Sequence, residues 1–198
     1  SNRTVSPATA DFLKGSGELV SLIRTFDWSK TSLGPIEQWP QSLKTITGFL
    51  VQSPIPIVLL WGPDGVMIFN DAYSVFAGAQ YAAKLGEKVL DAWPEVADFN
   101  ANVMKVGLAG GTLAYRDQEL TLYRSGRAEQ VWMNLDYSPV FDESGRPAGV
   151  VAIVVETTER VLADRLAAAA TERQRQLRPT LADARSSRRR KRIAGCRG

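Results

Sequence analysis

The 198-residue chain contains no histidine, and its single cysteine, Cys196, stands close to the C-terminal end. Those two scarcities remove much chemistry. A Ser-His-Asp or Cys-His nucleophile, a histidine-ligated haem or zinc, a four-cysteine zinc site and an internal disulfide all need residues the chain does not have. Catalysis would fall to carboxylates, Lys or Tyr. Long apolar runs are missing too. None approaches a membrane span, and the N-terminus has no basic-then-apolar layout of a secretory signal. A cytoplasmic location is the expectation.

With 44% hydrophobic and 23% charged residues, the chain is composed like a soluble globular protein. Its length suits one full core with some extra helix. The net charge of +3 hides a division. Residues 1–170 hold 14 Lys and Arg against 19 Asp and Glu, a balance of −5. Residues 171–198 hold 10 against 2, a balance of +8. The body is mildly acidic, and only the tail makes the protein look basic.

Leu19, Leu22, Ile23 and Phe26 fall at i, i+3, i+4 and i+7 and predict an amphipathic helix with Ser16 as its N-cap. A second helix starts near Pro40 and carries Leu43, Ile46 and Leu50 along one stripe. After the extended Ser53-Pro54-Ile55-Pro56 the pattern turns to strands. Ile57–Trp61 and Val66–Phe69 flank the turn signal Gly62-Pro63-Asp64-Gly65. Asn70-Asp71 offers caps for a helix carrying Tyr73, Phe76 and Ala77, and helical segments fill the stretch to Gly111. Three more strands follow, Ala114–Arg124, Gln130–Phe141 and Ala148–Val155, joined by glycine-bearing hairpin turns. In the middle one, Val131, Met133, Leu135 and Tyr137 form an apolar face, and Trp132 stands among polar residues on the other. The last strand is apolar on both faces, so a cover is expected on its second face. Thr157 reads as the cap of a final Ala-rich helix, whose heptad spacing stops at Arg173.

This order of elements resembles a PAS sensor domain. The resemblance rests on Asn70-Asp71-Ala72-Tyr73, Leu85-Gly86, Tyr137-Ser138-Pro139-Val140, Asp142-Glu143-Ser144-Gly145, Gly149 and Glu156-Thr157-Thr158-Glu159-Arg160. It covers roughly residues 54–157. Phe26-Asp27-Trp28, Ser32-Leu33-Gly34-Pro35 and Trp39-Pro40-Gln41-Ser42-Leu43 resemble the preamble of PAS domains in bacterial sensor histidine kinases. The resemblance implies an α+β fold: a five-stranded antiparallel sheet flanked by short helices around a small pocket, with an N-terminal helical extension and a C-terminal signalling helix. It implies the signal-sensing input domain of a two-component histidine kinase, with the signal leaving through Glu156, Thr157 and Thr158. The kinase's phospho-accepting histidine and nucleotide-binding glycine boxes lie outside this chain. Two branches of the family do not fit. There is no histidine for haem, and no cysteine between Gly78 and Gly111 for a flavin adduct.

Asn70, Tyr73, Phe76, Trp93, Phe99, Met104, Met133, Leu135 and Tyr137 are the pocket candidates. They either line a cavity for a small organic molecule or fill the core, and Asn70 and Tyr73 also read as a helix cap and a core aromatic. Leu19, Leu22, Ile23, Phe26, Trp132 and Ile153 are the candidates for docking the N-terminal helix and building a homodimer. No metal ligand set and no catalytic set is found; Asp117/Glu119 and Glu156/Glu159 are carboxylate pairs with no partner base. The expected organisation is a tag-like flexible segment over 1–16, the helical extension over 17–53, the sensor over 54–157 and a signalling helix over 158–178. Residues 179–198 read as a disordered or non-native basic tail that touches nucleic acid only non-specifically. The competing functions are a ligand-free dimerisation module and, further off, a cofactor-independent enzyme.

Overall fold

The computed structural model describes residues 11–195, the side chains of 179–181 aside. Residues 1–157 and 158–198 form two units, described separately below. The first opens with two helices, α1 (Glu18–Thr25) and α2 (Gln41–Leu50). The hairpin β1 (Ile57–Trp61) and β2 (Val66–Phe69) follows, then α3 (Asp71–Ala77), α4 (Tyr81–Lys84), α5 (Val89–Ala92) and α6 (Ala97–Leu108). Three long strands complete it: β3 (Leu113–Leu122), β4 (Glu129–Phe141) and β5 (Pro147–Glu156).

The five strands form one antiparallel sheet in the order β2-β1-β5-β4-β3. The three hairpins arise where the sequence places turn residues. The join between the two hairpin groups is β1 beside β5, with Leu59 opposite Val151 and Ile57 opposite Ile153. This register puts Val58, Leu60, Ala152 and Val154 on the inner face, which the short helices cover. Helix α6 crosses β5 closely. A Cβ on Gly107 would lie 2.2 Å from Val150 Cγ2, so only glycine lets the helix approach this far.

The outer face is covered unevenly. Helix α2 packs against β1 and β2, and Ile57, Leu59 and Ile68 are fully buried. Across the register on β5, Val151 and Ile153 are only half-buried and Val155 is 43% exposed. The doubly apolar last strand is therefore covered in part. Leu19, Ile23, Leu43, Leu50, Trp28 and Trp39 belong to the same apolar core as the sheet, so the extension is part of that core. Leu22 and Phe26 pack at its margin.

Three expectations change. Residues 1–10 of the supposed flexible segment lie outside the described residues, but Leu13 is buried and Phe12 stacks 5.9 Å from Trp39. The Leu13 carbonyl also accepts from Arg24. Ser16 does not cap α1; Gly17 holds that position and has no side chain to offer. Finally, the last helix, α7 (Thr158–Ala194), does not stop at 178. Ala, Arg, Lys and Leu are all strong helix formers, and pairs such as Arg160–Asp164 and Arg175–Glu172 support a helix that needs no core. Of the expected disordered tail, residues 196–198 lie outside the described residues. No helix among the described residues is long and apolar enough to cross a membrane.

Candidate functional site: the core cavity and the end of β5

Between the helices and the inner sheet face lies a cavity of about 50 Å³. Its helical wall is Tyr73, Phe76, Val89, Trp93, Val96, Phe99 and Asn100. Its sheet wall includes Val58, Leu60, Leu122, Met133, Leu135, Tyr137 and Val154. The alternation of β4 accounts for the sheet side, since Met133, Leu135 and Tyr137 share one face at period two. Seven of the nine predicted pocket residues therefore line one space: Tyr73, Phe76, Trp93, Phe99, Met133, Leu135 and Tyr137.

The other two do not. Met104 lies beneath the β1–β2 turn, where its sulfur would be 3.1 Å from a Cβ on Gly65. Asn70 is 1% exposed and fully engaged elsewhere. Its Oδ1 accepts from the amides of Ile57 at 3.1 Å and Tyr73 at 3.0 Å. Its Nδ2 donates to the carbonyls of Ile55 at 2.8 Å, Leu50 at 3.0 Å and Ser53 at 3.3 Å. Asn70 thus caps α3 and ties α2, the proline segment and β1 together. The cap reading of this residue holds, and the ligand reading does not.

The cavity is mostly apolar, with four polar groups in its wall. The Trp93 indole N–H donates to the Tyr73 hydroxyl at 3.1 Å. Tyr73's own proton, the Tyr137 hydroxyl and the Asn100 amide have no hydrogen-bond partner among the described residues. Tyr137 is 6% and Asn100 8% exposed. Burial pushes both phenols well above the ordinary tyrosine value, with Tyr73 and Tyr115 adding to the effect at Tyr137. Both are neutral donors at physiological pH. Asn100 was missed, although it occupies a place in the stripe Asn100, Val103, Met104, Gly107, where every other member is apolar or small. A polar residue in such a stripe is the signal that would have found it.

Phe76 links the cavity to the end of β5. Arg124 donates to the Phe76 carbonyl at 3.0 Å and lies over its ring at 5.2 Å. The same guanidinium donates to Glu156 at 2.5 Å and pairs with Glu129 at 3.5 Å. The bond to Glu156 is the main cause of the raised Arg124 pKa. Thr157 is held as well. Its amide donates to the Trp132 carbonyl at 2.8 Å. Its hydroxyl donates to Asp117 Oδ1 at 2.8 Å instead of capping the helix that starts at Thr158. Asp117 sits in a β3 bulge with φ +50°, a left-handed conformation that Asp tolerates better than most residues. Arg124 and Asp117 were not predicted as partners of this segment. Trp132 is buried on the outer face. No cluster of three or more acidic or cysteine side chains suited to a metal occurs among the described residues.

A twisted antiparallel sheet with short helices folded over one face, a small core cavity and a helix leaving its last central strand define a sensory class of domain. The model of the PAS fold matches residues 50–162, more than half of the chain, and the chain belongs to that family. It is similar to the PAS domain of BvgS from Bordetella pertussis, at 23% identity over 67% of this chain and 98% of that one, with a TM-score of 0.49. It is also similar to an RNA-binding light-oxygen-voltage receptor, at 18% identity over 71% of this chain and 40% of that one, with a TM-score of 0.47. A sensory box sensor histidine kinase from Vibrio cholerae matches at 19% identity over 60% of this chain and 93% of that one, with a TM-score of 0.41. No curated protein sequence matches the chain.

Proposed function

We propose that this PAS domain is the input module of a bacterial cytoplasmic sensor histidine kinase and takes a small uncharged molecule into its core cavity. The observation that carries the ligand reading is the pair of unpartnered polar groups Tyr137 and Asn100, with the undonated proton of Tyr73, around an otherwise apolar space. Buried polar groups without partners are costly, and a molecule bearing a hydroxyl or carbonyl relieves that cost. Each water needs about 10–15 Å³ of such space, so the cavity suits a molecule of a few heavy atoms. Ligands of drug size take pockets of roughly 300–1,000 Å³.

The relay would run from Phe76 through Arg124 to Glu156 and Thr157, the last residues before α7. A ligand shifts this arrangement only by binding its alternatives unequally. The homodimer surface of this reading is the outer sheet face at Val151, Ile153 and Val155, where cover is thinnest. Native mass spectrometry of the purified chain tests both parts. The reading expects a small bound mass that disappears in Tyr137→Phe, and a dimer that dissociates in Val155→Asp. The cavity's small volume favours a second reading, a ligand-free dimerisation module. A dimer carrying no added mass, with no ligand found by screening small alcohols and ketones, would establish that one instead.

A further inference from the structure

We propose that Asp71 makes the N-terminal extension a second arm of the sensor, coupling the position of α1 to the cavity wall. The two helices of the extension share a dependency. Neither brings its own N-cap side chain, α1 starting after Gly17 and α2 after Pro40. Each receives a carboxylate from far along the chain instead. Asp71 Oδ1 accepts from the Leu19 amide at 2.9 Å across 52 residues of sequence. Glu143 Oε1 accepts from the Ser42 amide at 2.5 Å across 101 residues. Such carboxylates satisfy orphan amides and meet the positive end of the helix dipole.

The Asp71 contact is close enough to dictate sequence. A Cβ at position 17 would lie 2.1 Å from Asp71 Oδ2, so glycine is what admits the carboxylate. A second link comes from α4, where the Tyr81 hydroxyl donates to Glu18, the first residue of α1. The two clamps lead to different places. Glu143 belongs to the β4–β5 turn, which is solvent-exposed. Asp71 opens α3, and the next turn of that helix carries Tyr73 and Phe76 into the cavity wall. Displacing the carboxylate therefore moves a cavity-lining helix, and by reciprocity a change in that helix moves α1.

Nitrogen-15 NMR of the whole chain tests this without any ligand. In Gly17→Ala the added methyl pushes Asp71 off the Leu19 amide; in Asp71→Ala the cap is absent. Both variants are expected to raise Leu19 amide exchange about fivefold. Both should also shift the Trp93 indole N–H resonance, which reports the bond to Tyr73. Glu143→Ala should raise exchange at Ser42 and leave the Trp93 resonance in place. Protection of the core Leu59 amide serves as the folding control. An unmoved Trp93 resonance in both α1-side variants, with Leu59 still protected, would overturn the proposal. So would an equal shift in Glu143→Ala, and so would loss of Leu59 protection in both variants, since the Asp71 contact would then hold the whole fold and not couple one helix to another.

Discussion

Asn70 and Asn100 are both buried asparagines beside the same short helices, and they stand in opposite conditions. Asn70 uses its amide for five backbone contacts and joins four segments. Asn100 faces a cavity and has no partner among the described residues. A polar side chain in the first condition specifies the fold. In the second it is a standing cost, retained where something else supplies the missing bond. The region around Asn70 is therefore scaffold, and the region around Asn100 is the proposed site.

The strongest way to test the scaffold side is to remove the extension. A chain starting at Pro54 loses Leu19, Ile23, Trp28, Trp39, Leu43 and Leu50 from the shared core. It should lose cooperative unfolding and aggregate, read by near-ultraviolet circular dichroism and light scattering. A soluble, folded product would show that the sheet's outer face does not need this cover. The next effect in size is Asn70→Ala, which strands two amides and three carbonyls and should cost about 3–4 kcal/mol in denaturant unfolding. Asn100→Leu separates the two regions by sign. Removing an unpartnered amide from an apolar wall should be neutral or stabilising by up to about 1 kcal/mol, while abolishing capture of a hydrogen-bonding ligand. A loss as large as that of Asn70→Ala would place Asn100 in the scaffold as well.

What could be read in advance follows the same division. The hairpins were legible because glycine and proline punctuate Gly62–Gly65 and Asp142–Gly145, and local turn chemistry acts over a few residues. The sheet wall of the cavity was legible because side chains in a strand alternate, which placed Met133, Leu135 and Tyr137 together without further knowledge. Capping by Asn70 was legible for a similar reason: its partner amide is three residues away. Asp71 and Glu143 were not, because each caps a helix that reaches it only through the tertiary fold. Nor did sequence reveal whether the aromatic wall closes fully, since a cavity of 50 Å³ is decided by rotamers. The length of α7 was not legible either, because a like-charge run argues for disorder while the helix propensity of Arg and Ala argues for helix, and the two act on the same residues.

The smallest expected effect concerns the exposed clamp at Glu143 and is a matter of pH. The hydrogen bond from the Ser42 amide holds its carboxyl below the ordinary value of 4.5, against the opposing effects of desolvation and of Asp142. A carboxylate with a folded-state pKa below its unfolded value stabilises the folded form above the unfolded pKa, and loses that contribution as pH falls through the folded pKa. Protection of the Ser42 amide, corrected for intrinsic exchange, should therefore be flat above about pH 5 and decline below the ordinary carboxylate range. Glu143→Gln should remove the decline at Ser42 while leaving the Leu19 profile, which depends on Asp71, as it was. Were Ser42 protection to keep falling with acid in Glu143→Gln, the contact would not be what holds α2, and the contrast between the two clamps would rest on Asp71 alone.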